Sequence, residues 1–297
     1  MTQTVLSAAS RPHCARRKAL MMSCASAALA AAALSPQPAR AQAFQGAITG
    51  TTGSVARATP TDTTETITIG SNTATINWNP TTQQQGGGAI DFLPSGNTAT
   101  FTSAQGITDY TVLNRITPTS GQSVALNGHV VSTLQGTGAT GGNVWFYSPN
   151  GIVVGASAVF DVGGLLLSTN DVTSFATSAN GFNASFAGPA GSQSAIQIQN
   201  GAQINALQQN SYVALVAPRI EQGGKVRVNG SAAYVAGEQL SMTMNQGLFD
   251  IQVDVGTTDA NGVVHSGETS GPANASCRPP LAGPAAAAPG SPARSPP

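Results

Sequence analysis

Apolar and polar residues alternate with period two in short runs along the body of the chain, and no stretch of a dozen residues sustains a helical period. Thr66-Ile67-Thr68-Ile69, Ala74-Thr75-Ile76-Asn77-Trp78, Ala89 to Leu93, Thr98 to Phe101 and Tyr110 to Ile116 all read as strands. Gly, Asn and Pro punctuate them, and Gln83–Gly88 reads as a low-complexity loop. Further on, "YSPNGIVVGASAVFDVGGLLLST" places Pro149-Asn150-Gly151 and Gly163-Gly164 between short apolar runs. Neither run has an obvious hairpin partner.

A repeat explains this. Ile204 matches Val226, 22 residues later, and Tyr212-Val213-Ala214 matches Tyr234-Val235-Ala236 at the same interval. Phe160 precedes Ile204 by 44 residues, which reads as two periods, with Val172–Asn200 holding the extra coil and an excursion. A period near 22 built from short strands and turns predicts a parallel β-helix across at least Val144–Val255. Each coil cannot bury its inward row alone, so coils stack at about 4.8 Å and share hydrogen bonds. The two Gly-containing turns then become corners of a solenoid, where Gly and Asn supply left-handed backbone.

Composition adds the compartment. Only 8% of the 297 residues are charged, and twelve basic and twelve acidic side chains cancel. A typical soluble domain carries about 25%. A neutral, hydroxyl- and amide-rich surface provides no electrostatic footprint for nucleic acid. Arg11, Arg16, Arg17 and Lys18 precede the apolar run Ala19–Leu34, and Ala39-Arg40-Ala41 supplies small residues. This order predicts a signal peptide over 1–41 with cleavage after Ala41. Cys14 and Cys24 lie in that leader and Cys277 near the other end, so the body contains no cysteine and relies on its core. The body is expected over 42–256. Residues 257–297, rich in Gly, Pro and Ala towards the end, are expected to form a disordered or truncated tail.

Residues Asn127 to Val172, "NGHVVSTLQG…GGNVWFYSPNGIVVGASAVFDVGGLLLSTNDV", resemble the amino-terminal secretion domain of filamentous haemagglutinin-type exoproteins of two-partner secretion. The family's Asn-Pro-Asn-Gly-Ile motif stands here as Ser148-Pro149-Asn150-Gly151-Ile152, with Ser in place of the first Asn. Either residue can accept a turn hydrogen bond. The family's upstream Asn-Pro-Asn motif has no clear counterpart, and Leu113-Asn114-Arg115-Ile116 lies near its expected place. The resemblance implies an all-β fold: a right-handed parallel β-helix, a single-stranded solenoid with an amino-terminal β cap. It also implies a non-catalytic secretion domain of an adhesin-like exoprotein, secreted or held at the cell surface of a Gram-negative bacterium. Its partner is then an outer-membrane barrel transporter with periplasmic binding domains, met after export through the periplasm. Host or surface glycans form a second class of expected partner. Ser148–Ile152 becomes the transporter-recognition or folding motif.

An exported carbohydrate-active enzyme is the alternative, because solenoids also host polysaccharide lyases and hydrolases. Asp250 and Asp254 alternate with apolar residues on one strand, as paired carboxylates for acid–base work or calcium do. The ordinary reading is a half-buried strand with its polar face in water. His129 and His265 are too far apart for a metal site, and no Gly-x-Ser-x-Gly elbow occurs. No catalytic residue, cofactor or metal is therefore assigned. Trp145, Phe146 and Tyr147 read either as a sugar-binding patch or as a run split between core and surface.

Overall fold

The computed structural model describes residues 42–59, 61–80, 88–178 and 181–271. The expected leader, most of the Gln83–Gly88 loop and residues 272–297 lie outside them. The described residues contain strands and no helix. The chain winds repeatedly through three faces of a parallel β-helix. One face stacks Thr73–Pro80, Thr111–Ile116, Asn143–Tyr147, Gly164–Ser168 and the later parts of Gln203–Ala217 and Lys225–Asn245. A second stacks Ile90–Leu93, Val124–Leu126, Ile152–Val154, Ala195–Ile198, Arg219–Gln222 and Val263–His265. The third begins at Thr64–Ile69 and ends at Glu268–Ser270.

Pairing in register sends every second residue inwards as a continuous column. Ile90, Val124, Ile152, Ile196, Ile220 and Val263 form one, and all but Val263 are fully buried. Each buried aliphatic side chain contributes about 1.5–3 kcal/mol relative to exposure. Conformational entropy opposes that gain, so a coil needs its neighbours.

The period departs from 22. Thr64, Thr98, His129, Val159, Gln203, Lys225 and Glu268 begin paired segments on the third face, giving steps of 34, 31, 30, 44, 22 and 43 residues. Ile204 pairs with Val226, as the repeat predicts. Phe160, however, pairs with Ile204 directly, so their separation is one coil and not two. The extra length is a hairpin, Asp171–Ser178 with Gly181–Ala187, which leaves the solenoid. Tyr212 pairs with Ser231, not with Tyr234. Four residues, Leu207–Asn210, stand opposite Asn229 alone and shift the register. The expected boundary at 256 is also too early. Val263–His265 and Glu268–Ser270 lie in the region read as tail, yet they pair in parallel with the preceding coil.

The hairpin belongs to a four-stranded antiparallel sheet outside the solenoid. Gly181–Ala187 pairs with the far part of Lys225–Asn245, which overruns its coil, and Leu248–Gly256 pairs back on it. Gln246 and Gly247 both have positive φ, 50° and 81°, the pattern of a two-residue primed turn. Phe182, Ala184, Phe186, Leu240, Met242 and Met244 cover the first face and make a second hydrophobic core. Gly164–Ser168 is consequently buried on both sides, which explains its unbroken Leu165-Leu166-Leu167 run.

At the amino-terminal end the coils are closed by antiparallel strands. Gly46–Thr52 pairs with Thr73–Pro80, and Val55–Ala58 with Thr64–Ile69, which is the expected β cap.

Candidate functional site: the corner motif and the covered face

Ser148 to Ile152 form the corner between the first and second faces. The Gly151 N–H donates to the Ser148 carbonyl at 3.3 Å, closing a four-residue turn with Pro149 in its favoured second position. The Ser148 N–H donates to the Ser168 carbonyl at 3.1 Å, and Val124 N–H to the Gly151 carbonyl at 3.0 Å. Ser194 Oγ donates to the Pro149 carbonyl at 2.5 Å. The corner thus bonds to coils on either side. Ile152 enters the inner column described above.

Two expectations about this motif change. The Ser148 side chain accepts no turn bond: its Oγ is buried and has no hydrogen-bond partner among the described residues, and the main chain closes the turn. The left-handed position is Gly151, with φ 114°, while Asn150 does not have a positive φ; among the described non-glycine residues only Asn210 and Gln246 do. A Cβ on Gly151 would also stand 3.1 Å from the Ala195 carbonyl oxygen.

The aromatic run next to the corner forms no exposed patch. Phe146 points into the solenoid, while Trp145 and Tyr147 point outwards and are buried by the outer sheet. Trp145 Nε1 donates to Tyr212 Oη at 2.7 Å, and Trp145 packs edge-on against Phe182 with centroids 4.9 Å apart. Burial drives the Tyr212 phenol well above its ordinary pKa.

Asn114 and Arg115 are the polar members of this region. Asn114 is buried; its Oδ1 accepts the Trp78 indole N–H at 3.0 Å, and its Nδ2 donates to the Trp145 carbonyl at 3.2 Å. It therefore ties three successive coils from within. Arg115 lies 2.6 Å from Asp171 and over the Tyr147 ring at 4.9 Å, fastening the base of the outer hairpin to the solenoid. The hydrogen bond to Asp171 raises the guanidinium pKa, and burial raises that of Tyr147.

A further cluster was missed from sequence. Glu65 is buried at the cap, 2.6 Å from Arg57 Nε, and accepts the Phe44 N–H at 3.1 Å. Arg57 lies over Trp78 at 4.8 Å. The available signal was phase: Glu65 falls in step with Ile67 and Ile69, the inward residues of its strand.

The remaining candidates are dispersed. Asp250, Gln252 and Asp254 sit on an exposed outer strand whose Phe249 and Ile251 pack inwards, as the ordinary reading predicts. His129 is partly buried and bonds Asp161 at 2.8 Å, a partner not foreseen; His265 is exposed. No group of three or more His, Cys, Asp or Glu capable of holding a metal occurs among the described residues. The arrangement leaves main-chain edges: Gly46–Thr52, Val55–Ala58, Asp171–Ser178 and Leu248–Gly256 each pair on one side within their sheets.

The fold and its corner define a capped parallel β-helix whose motif residues build backbone geometry. The family model of the TPS secretion domain matches residues 56–274, and the chain belongs to this family of two-partner secretion domains of haemagglutinin-type exoproteins. Such domains occur in exported proteins of Gram-negative bacteria. Among solved structures, the chain is similar to the HMW1 secretion domain from Haemophilus influenzae, with 17% identity and a TM-score of 0.40 over 75% of this chain and 53% of that one. The chain therefore spans about half the length of that structure. No curated protein matches the chain.

Proposed function

We propose that this domain is a non-catalytic secretion module of a surface adhesin, recognised in the periplasm by the binding domains of an outer-membrane barrel transporter. Before folding, the segments Thr66–Trp78 and Tyr110–Ile116 pair by their main chains with a sheet of those domains, a mode that needs little charge. Outside the cell the capped first coils form, and each completed coil templates the next. Folding disfavours return through the pore and so helps to drive export.

The observation that carries this reading is the membership in the secretion-domain family, together with a solenoid closed by a built cap at its amino-terminal end. The Ser148–Ile152 corner acts by setting the angle of an early coil. The test is co-expression with the cognate transporter and quantification of the chain in the medium. Export is expected to fail without the transporter and after deletion of Asn143–Leu167. Unchanged export in either case contradicts the proposal.

A further inference from the structure

A cleft opens where the outer hairpin meets the corners that lead into the first face. Successive coils contribute Asn72, Asp109 and Asn143, and the hairpin contributes Thr177 and Ser178. The four-residue insertion Leu207–Asn210 brings Gln209 and Asn210 to the rim. Phe182 and Tyr212 provide an apolar floor. One part of the cleft measures about 410 Å³, and an adjoining part sharing Asp109, Thr111, Thr177 and Ser178 about 170 Å³. Small-molecule sites typically occupy about 300–1,000 Å³.

The lining has a defined chemistry. Asp109 is its one charged residue, and no Lys, Arg or His lines either part. Asp109 Oδ1 accepts the Tyr110 N–H at 2.9 Å, while Oδ2 has no hydrogen-bond partner among the described residues. The Asn72, Gln209 and Asn210 side chains likewise make no hydrogen bond among them. Asn143 Nδ2 donates to the Tyr110 carbonyl at 3.1 Å, which holds its amide beside Asp109. Asn210 keeps a left-handed backbone, φ 61°, in the inserted loop that forms the rim.

From this set we infer that the cleft binds an uncharged oligosaccharide, its hydroxyls bonded by Asp109 and the surrounding amides. A carboxylate oxygen accepts from sugar hydroxyls, and carboxamides both donate and accept, which is the pairing that polyols need. An isolated carboxylate repels sulfated, sialylated or uronic acid glycans. Asp109 is exposed, so its second carboxylate oxygen is open to a hydroxyl donor. The coils repeat at a spacing of about 4.8 Å, so the polar steps ascend along the solenoid axis and suit a linear chain of pyranose rings.

The inference stands apart from the secretion reading, because binding is measured on exported, folded protein. An array of immobilised neutral, sialylated and sulfated oligosaccharides is probed with the full exported chain, and bound sugars are titrated by calorimetry. Neutral oligosaccharides are expected to bind in preference. Asp109→Ala and Asn210→Gly should each weaken binding about tenfold or more with export unchanged; the melting temperature should stay the same in Asn210→Gly and fall by a few degrees in Asp109→Ala, which loses the bond to the Tyr110 N–H. Glycine retains the left-handed backbone at position 210, so that variant removes the amide without strain. Absence of neutral-sugar binding, preference for the anionic glycans, or unaltered affinity in both variants overturns the inference.

Discussion

The two ends of the solenoid are built differently. At the amino-terminal end Phe44 is fully buried, stacked on Phe92 at 5.0 Å and tilted against Trp78 at 5.2 Å. Arg57 and Glu65 close the same end from above, and two antiparallel strands complete it. Towards the last coil, Leu248 is 72% exposed, and Val253, Val255, Val263 and Val264 are exposed as well. Under the proposed order of folding the two ends have separate roles. A solenoid is stabilised by neighbour contacts, so an end with a dense aromatic plug forms a coil that stands without a predecessor. In the last described coil Val263 and Val264 are exposed, and Val263–His265 pairs with one strand only among the described residues.

Truncating the plug is expected to do most harm. Phe44→Ala should cost about 3–5 kcal/mol, as expected for a buried aromatic, whereas Val264→Ala should change stability by less than about 0.5 kcal/mol. Thermal or denaturant unfolding of the two variants checks the asymmetry, and equal losses would break it. Next in size is the corner. Gly151→Val forces a branched residue into positive φ against the Ala195 carbonyl and should cost about 1–3 kcal/mol. Asn150→Ile, at the neighbouring position, should be nearly neutral by the same measurement.

The covered face supplies a pH-dependent contrast with the cap. Below pH 10.0, the ordinary value for tyrosine, the Tyr212 phenol is neutral in both folded and unfolded chains. Above it the unfolded chain ionises while burial keeps the folded phenol protonated, so stability is present below about pH 10 and lost as pH rises. Tyr212→Phe should flatten the alkaline fall in melting temperature, although loss of the Trp145 partner costs about 1–3 kcal/mol at neutral pH. A fall of unchanged slope would assign the alkaline lability elsewhere. Arg115→Gln should cost less than the Tyr212 change. Its pair with Asp171 is partly exposed, so unfolding should report a loss of about 0–1 kcal/mol.

Much of the fold was legible in the sequence because period-two alternation directly records which side chains face inwards. Ile204 and Val226 align as neighbours, Ile152 occupies its inner column, and Pro149-Asn150-Gly151 turns a corner. Coil length was not legible, since alternation says nothing of where a chain leaves the solenoid. The 44 residues from Phe160 to Ile204 hold a single coil plus an outer hairpin, and the like-looking tyrosines Tyr212 and Tyr234 fall out of register because of Leu207–Asn210. Nor could pattern alone show that Trp145 and Tyr147 lie beneath a second sheet: an outward aromatic reads the same whether water or Phe182 covers it. Glu65 was readable in principle from its inward phase, whereas its partner Arg57 comes from a different strand.

The central claim is that the solenoid starts from its capped end. Pulsed hydrogen exchange during refolding of the exported chain, read by mass spectrometry, tests it most directly. Amides of Thr64–Ile69, Thr73–Pro80 and Thr98–Ser103 should become protected first, with protection then spreading coil by coil to Arg219–Gln222 and Val263–His265. Protection appearing first in the last coils, or simultaneously throughout, would contradict the account.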